Sequence, residues 1–386
     1  MLNLLTCFKQ QWRVTFLCPA KHTEFETSLD ELGIDNAEIA LNCSSFDEQL
    51  KLLAPDVVVF DRFMIEEQFG WRVTNTCPNA LKILNTEDLH SLRDARHRAM
   101  KTESSELAFN TELCYREIAS ILRCDITLLL SKNEIQFLQQ EFNIASELLH
   151  YWPLMPNPQQ GLVSDEISRS FEQRSGFVFI GNYRHAPNWD AVLWLRQSIW
   201  PKVRALLPDA QLSVYGAYQP PKATQLHAPK QGFLIKGRAP SAAHVMLQAR
   251  VCLAPLRFGA GIKGKLLDAI ATQTPSVTTQ IGIEGITSAT NWPGNVAEDE
   301  TAIAEAAVDL HENTNTWHAA STKCLSLFDQ TQNAQPHTQQ LTKVIENALT
   351  DISGRRKRNF YGAMLQHHTL SSTRYMTQWI EAKNSK

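Results

Sequence analysis

Ten short runs of apolar and β-branched residues recur along this chain, and stretches of helical periodicity separate them. No other feature limits the fold as strongly. In the first half the runs are RVTFLC (13–18), AEIALN (37–42), DVVVFD (56–61), LKILN (81–85) and DITLLLS (125–131). Segments such as FDEQLKLLA and TELCYREIASILR lie between them. The runs are continuous in hydrophobicity rather than alternating, so each strand is expected to be covered on both faces. That is the condition of a parallel sheet with helices packed on either side. The segment YWPLMPNPQQG (151–161) carries three prolines and a glycine and reads as a linker. The pattern then resumes with FVFIG (177–181), QLSVYG (211–216), FLIKG (233–237), VCLAPL (251–256) and PSVTT (275–279). Between the first two of these, apolar residues at 191–195, 199, 200, 203, 206 and 207 form a broad core-facing stripe. Beyond about residue 300 the chain reads as mainly helical. The expected fold class is α/β, with two doubly wound domains and a helical tail. Ligands in such sheets bind beyond the carboxyl ends of the strands, which places the expected site in the cleft between the domains.

Bulk properties narrow the function. Over 386 residues the net charge is −3, so the molecule as a whole has no attraction for nucleic acid, and any anion must be held by a local site. A 43% hydrophobic and 20% charged composition is that of a folded globular protein. The eight cysteines show no C-x-x-C spacing, and several, Cys18 and Cys252 among them, sit in apolar segments. They read as free thiols in a reducing compartment. No apolar run approaches the ~18 residues that span a bilayer. The opening MLNLLTCFKQQWR, cut by Lys9 and Arg13, is a poor signal peptide. The expected location is cytoplasmic, with peripheral contact at the inner face of the membrane as a further expectation. No cluster of Asp, His or Cys at ligand spacing is visible, so no metal is expected.

One motif carries chemistry. PLRFGAGIKGKLLDAI (255–270) contains a G-x-G-x-x-G run at Gly259, Gly261 and Gly264. A dinucleotide fingerprint needs that run after the first strand of its domain, and an acid at the end of the next strand for the ribose. Here the run follows the fourth strand of the second half. The next strand ends at Thr279–Gln280, and Glu284 lies in a later turn. A dehydrogenase is therefore disfavoured. The stretch offers a glycine loop leading to a helix N-terminus, where free N–H groups and the helix dipole favour an anion. Lys263 and Lys265 add positive charge there, and Asp268 falls one turn on, on the face of Lys265. A lysine on phosphate and a carboxylate on ribose hydroxyls would hold a nucleoside diphosphate. The plainer alternative is a Lys265–Asp268 surface pair.

The stretch 254–286 resembles the donor site of the retaining GT-B glycosyltransferases, group 1 type. The resemblance implies that Lys265 holds the donor diphosphate and Asp268 the ribose, in a bacterial branch of the superfamily. It gives Gly259, Gly261 and Lys263 to the same loop. The acid is Asp rather than the commoner Glu, and Gln273 stands where glycine usually precedes the next strand. FVFIGNYRHAPNWDAVLWL resembles the first strand-turn-helix of the donor domain. There Gly181 would admit a close ligand, and Arg184 and His185 are the phosphate-binding candidates. Pro187–Asn188 occupy the region of the usual lysine. PDVVVFDRFMIEEQFGWRV and LKILNTEDLHSLRDARHRA resemble the acceptor domain, and RYMTQWIEAK (374–383) the last helix, which crosses back to that domain. The implied organisation is an acceptor-side domain over 1–160, a nucleotide-sugar domain over 161–355 and a returning helix over 356–386. The resembled family opens with a strand and glycine-rich turn before the first helix. The chain opens directly on a helix, so a start further upstream is expected, with a damaged acceptor domain as the alternative.

Glu87, Asp88 and His90 follow the strand LKILN and are the candidates for contact with the reacting sugar. The competing reading is a helix start, with Thr86 as cap and the two acids in the first turn. Asp61 and Arg62 are weaker candidates, and Glu66 and Glu67 read as a solvated face or a helix pair. The run GRRKR (354–358) reads as a solvated helix end, or as a patch for anionic lipid or a lipid-linked acceptor. Retaining transfer of a hexose on this fold needs no strong protein base, since the leaving diphosphate can take the acceptor proton. The implied activity is transfer of a sugar from a nucleotide-diphosphate donor to a saccharide or lipid-linked acceptor in envelope or polysaccharide assembly, without a cofactor. The rivals are a sugar-nucleotide epimerase of the same fold and an inactive nucleotide-sugar-binding relative.

Overall fold

A computed structural model describes residues 1–20, 27–155, 169–331 and 335–384. The chain divides into two compact units. The first comprises Met1–Ser91, Asn110–Pro153 and Gln335–Lys386; the second comprises Leu92–Phe109 and Leu154–Ala334.

In the first unit, β1 (Thr15–Cys18) pairs in parallel with β2 (Asp35–Glu38). A second parallel sheet runs β3 (Val57–Asp61), β4 (Leu81–Asn85), β5 (Ile126–Leu129), β6 (Leu149–Tyr151) in that order. Every residue of β4 and β5 is buried, as continuous apolar runs require. Two expectations shift here. AEIALN was expected to be a strand over 37–42, whereas β2 lies two residues earlier, because its ladder with β1 pairs Thr15 with Asp35 and stops at Cys18–Glu38. The expected linker begins later than 151: Tyr151 closes β6 on Leu129, and Trp152 is buried. The rest of that linker, from residue 156, lies outside the described residues.

In the second unit, β7 (Phe177–Ile180), β8 (Leu212–Tyr215), β9 (Phe233–Gly237), β10 (Val251–Ala254), β11 (Ser276–Thr278) and β12 (Gly294–Val296) form one parallel sheet. Its order is β12-β11-β10-β7-β8-β9. The chain enters at the centre, winds outward to β9, then crosses to the other side of β7. The β7–β10 boundary is thus the point at which the winding reverses, where the carboxyl ends of two neighbouring strands lead in opposite directions. The apolar stripe expected between β7 and β8 fills the core: Ala191, Val192, Leu195, Ile199, Trp200 and Val203 pack under Phe177, Phe179 and Val214.

The chain's return to the first unit is placed at Gln335, earlier than residue 356. The helix Gln335–Thr350 buries Leu341, Ile345 and Ala348. The last helix, Phe360–Asn384, packs on the helices Glu112–Arg123 and Phe63–Thr76 of the same unit. Among the described residues, no helix is long and apolar enough to cross a membrane. All eight cysteines are free thiols.

Candidate functional site

A cavity of about 310 Å³ opens at the carboxyl ends of β7 and β10, at the winding reversal. Ile180, Gly181, His185, Pro187 and Asn188 line it from the β7 side. Leu256, Phe258, Gly259, Ala260, Ile262, Lys263, Gly264, Lys265 and Asp268 line it from the β10 side. A larger cavity of about 560 Å³ lies at the other end of the sheet, beside Gly176, Asp209 and Gln211. No lysine or arginine lines it, so it offers an anion no cation.

The glycine run forms the loop between β10 and the helix Gly264–Ala271, for reasons that differ at each position. Gly261 has φ +64° and Gly259 φ +155°, backbone that side chains disfavour. Gly264 opens the helix with no such demand, and a Cβ added there would meet nothing within 4 Å. Its side faces the cavity and is empty. The first intrahelical bond is donated by the Leu266 amide to the Lys263 carbonyl at 2.8 Å, so the Gly264 and Lys265 amides precede the ladder.

Lys265 is held against the cavity wall. Its ammonium donates to Asn188 Oδ1 at 2.5 Å and stands 4.4 Å above the Phe179 ring. Among the described residues no carboxylate pairs with it. Burial pushes its pKa down to about 7. Asp268 also lines the cavity; its carboxylate has no hydrogen-bond or ion-pair partner among the described residues, and burial lifts its pKa to about 6. The two groups expected on one helix face are therefore together, and the alternative of a mutual surface pair does not occur. Lys263 differs in part from expectation. It is buried, and its ammonium donates to the Gly261 carbonyl at 2.7 Å, tying the loop to itself while still lining the cavity.

On the β7 side, His185 precedes the helix Ala186–Trp194 and lines the cavity. Arg184 does not: its guanidinium lies 4.0 Å over the Tyr218 ring, outside the lining. Gly181 was expected to leave room for a ligand. The space its Cβ would take is filled by the Asn188 amide, whose Cγ would lie 2.6 Å away.

Two further residues of the second unit hold the loop: Arg96, which sequence reasoning missed, and Glu284, which it placed in a later turn and gave no role. Arg96 donates to the Gly259 carbonyl at 2.7 Å and makes a two-pronged ion pair with Glu284 at 2.6 and 2.7 Å. Next to it, His97 stacks on Phe258 with centroids 4.3 Å apart. Arg96 lies 163 residues from Gly259, so no local pattern could have found it. Glu284 stands beyond β11, where its pairing with Arg96 depends on the fold rather than on any local pattern.

The first-unit candidates gather at the carboxyl end of β4. Asn85 Nδ2 donates to Asp61 Oδ1 and Glu87 Oε1, both at 3.0 Å, and His90 Nε2 lies 3.5 Å from Asp88 Oδ1. Burial raises the Asp61 pKa, more than the adjacent Arg62 lowers it. The competing helix-cap reading fails: Thr86 is buried, its hydroxyl on the Leu128 carbonyl, and the helix starts at His90. The cap comes from Glu117, which takes the His90 and Ser91 amides at 2.8 and 2.9 Å. Glu66 is not on a solvated face. It is buried and ion-paired with Arg123 at 2.5 Å, while Glu67 pairs with Arg116. In the basic run, Arg355 and Arg356 are bonded to Asp125 and to the Glu147, Pro78 and Ala80 carbonyls, so much of the run is tied down within the unit.

Residues 174–313 match the family model described as Glycosyl transferases group 1. No curated protein matches the chain. Solved structures do. A glycosyltransferase from Rickettsia africae ESF-5 is 12% identical over 91% of this chain and 94% of its own, with a TM-score of 0.65. Anabaena Alr3699/HepE in complex with UDP is 11% identical over 90% and 95%, with a TM-score of 0.67. WaaG, a glycosyltransferase involved in lipopolysaccharide biosynthesis, is 13% identical over 88% and 93%, with a TM-score of 0.61. At these identities the likeness establishes the fold, which is the GT-B arrangement of two Rossmann-like domains with parallel sheets.

Proposed function

We infer that this chain, of GT-B fold and with its residues 174–313 matching the group 1 glycosyltransferase family, transfers a sugar from a nucleoside-diphosphate donor bound in the second unit. One observation carries the reading: the Lys265 ammonium and the Asp268 carboxylate line one cavity, and neither is neutralised by a partner of opposite charge. A diphosphate supplies the missing negative charge for Lys265 and the helix amides. Ribose hydroxyls supply the donors that Asp268 lacks. Such a donor, once seated, places its anomeric carbon beyond the loop. Fixed positive charge at the diphosphate stabilises it as a leaving group, because its negative charge grows in the transition state. The diphosphate can itself take the acceptor proton, so retention of configuration at a hexose fits a site with no carboxylate pair beside the lysine.

The acceptor is a saccharide or a lipid-linked sugar, a reading supported by the involvement of the structurally similar WaaG in lipopolysaccharide biosynthesis. Glu87, Asp88 and His90 are proposed as the polar contacts of the first unit to the reacting sugars. Peripheral membrane contact at the cytoplasmic side belongs to the same reading. It is supported by large apolar and aromatic side chains exposed on the last helix: Phe360, Tyr361, Tyr375, Met376 and Trp379.

Thermal melting in the presence of UDP, ADP, GDP, CDP and dTDP tests the donor site, since a ligand that binds the folded state raises the midpoint. Lys265→Ala is expected to weaken the tightest of these by ~1.5–3 kcal/mol, the scale of a hydrogen bond to a charged group. Calorimetry that finds no binding to the unmodified protein overturns the reading.

A further inference from the structure

Asn188 sits at the start of the helix after β7, and it is 8% exposed. Its amide is fixed at both ends. Nδ2 donates to the Asn182 carbonyl at 3.0 Å, which turns Oδ1 toward Lys265 Nζ at 2.5 Å. Gly181 is the neighbour that makes this seat available, since any side chain there would strike the amide. The position thus contributes no cation of its own. It supplies the one oxygen that the Lys265 ammonium has among the described residues.

We propose that Asn188 is a positioning residue that holds Lys265 protonated and aimed at the bound diphosphate, using a neutral dipole so that the lysine's charge stays available to the ligand. The inference rests on the donor-site reading above. A carboxylate in this place would also hold the ammonium, yet it would cancel the charge the diphosphate needs. An apolar residue would leave the ammonium buried without an acceptor, and the neutral amine would be favoured. The other groups facing Lys265 do not replace Asn188. Cys252 on β10 is a buried thiol whose pKa is pushed up to about 12, Lys263 on the loop repels, Phe179 offers only its ring, and Asp268 is turned to the cavity without bonding to the lysine.

The test is the pH dependence of nucleotide binding, measured by calorimetry between pH 5.5 and 9 with the tightest of the five diphosphates. Asn188→Ala is expected to move the alkaline fall in affinity down by about one pH unit, with at least a tenfold loss at pH 7.5. Asn188→Asp is expected to move the same fall upward, while lowering the affinity across the whole range. A role in folding alone shifts neither limb in opposite senses. Variants whose alkaline limb coincides with that of the unmodified protein, or moves the same way for both, overturn the proposal while leaving the donor site standing. If the alanine variant does not fold, the near-isosteric aspartate variant decides alone, by the direction of its shift. No binding to the unmodified protein overturns the donor-site reading instead.

Discussion

Arg96 grips Glu284 through both guanidinium ends, at 2.6 and 2.7 Å, and its Nη1 also bonds the Gly259 carbonyl at 2.7 Å. The pair is mostly buried, with the side chains 19% and 22% exposed, and it holds the Glu284 carboxyl below its ordinary pKa against the opposing effect of burial. A carbonyl so anchored cannot turn into the cavity, where it would repel a diphosphate. Arg96→Ala is therefore expected to weaken diphosphate binding by ~1–2 kcal/mol, roughly five- to thirtyfold, as a lost charged hydrogen bond in a partly buried setting. Calorimetry on the folded variant checks it, and an unchanged Kd would show that the loop holds its shape without the arginine.

The affinity for diphosphate should peak in a narrow pH range. Lys265 is charged below about 7 and Asp268 is ionised above about 6. The ammonium attracts the phosphate only while protonated, so affinity falls as pH rises through the upper value. The carboxylate accepts from ribose hydroxyls only while ionised, so affinity falls as pH drops through the lower one. A bound dianion lifts the lysine's pKa and broadens the alkaline side. In Asp268→Asn the acid limb should disappear, and a titration of Kd against pH that keeps it would assign that limb elsewhere.

Gly264 separates function from stability. Its position is helical, and nothing lies within 4 Å of where a Cβ would go. Gly264→Val is expected to leave the melting temperature nearly unchanged and to reduce diphosphate affinity at least tenfold, because the branched side chain projects into the cavity the ligand fills. A variant that melts early yet binds normally would contradict this.

Gln273, for which the sequence supplied no explanation, is held at φ +53° in the turn into β11. A non-glycine residue there costs roughly 1–2 kcal/mol. Glycine regains that cost but loses about 0.5–1 kcal/mol through the freer unfolded chain. Gln273→Gly should therefore stabilise the protein by ~0.5–1 kcal/mol, with a small rise in melting temperature and no change in binding. A lower melting temperature would locate the residue's value in its side chain instead.

The sequence by itself determined most of the strands, their parallel pairing and the glycine loop after β10, because each rests on local chemistry. Continuous apolar runs such as LKILN and FLIKG match β4 and β9 to the residue. β4 is buried at every residue, the condition of a parallel strand covered on both faces, whereas β9, at the edge of its sheet, is only partly buried. Lys265 and Asp268 could be paired in advance because three residues along a helix bring side chains to one face. The three-residue strands at Leu149–Tyr151 and Gly294–Val296 escaped notice, since runs so short carry no periodicity. Only the tertiary structure decided the rest. It set Asn188 against Lys265 across 77 residues, brought Arg96 to Gly259 across 163, and capped a helix at His90 with the distant Glu117. Such contacts depend on which strands become neighbours when the winding reverses, and chain order alone does not encode that distance.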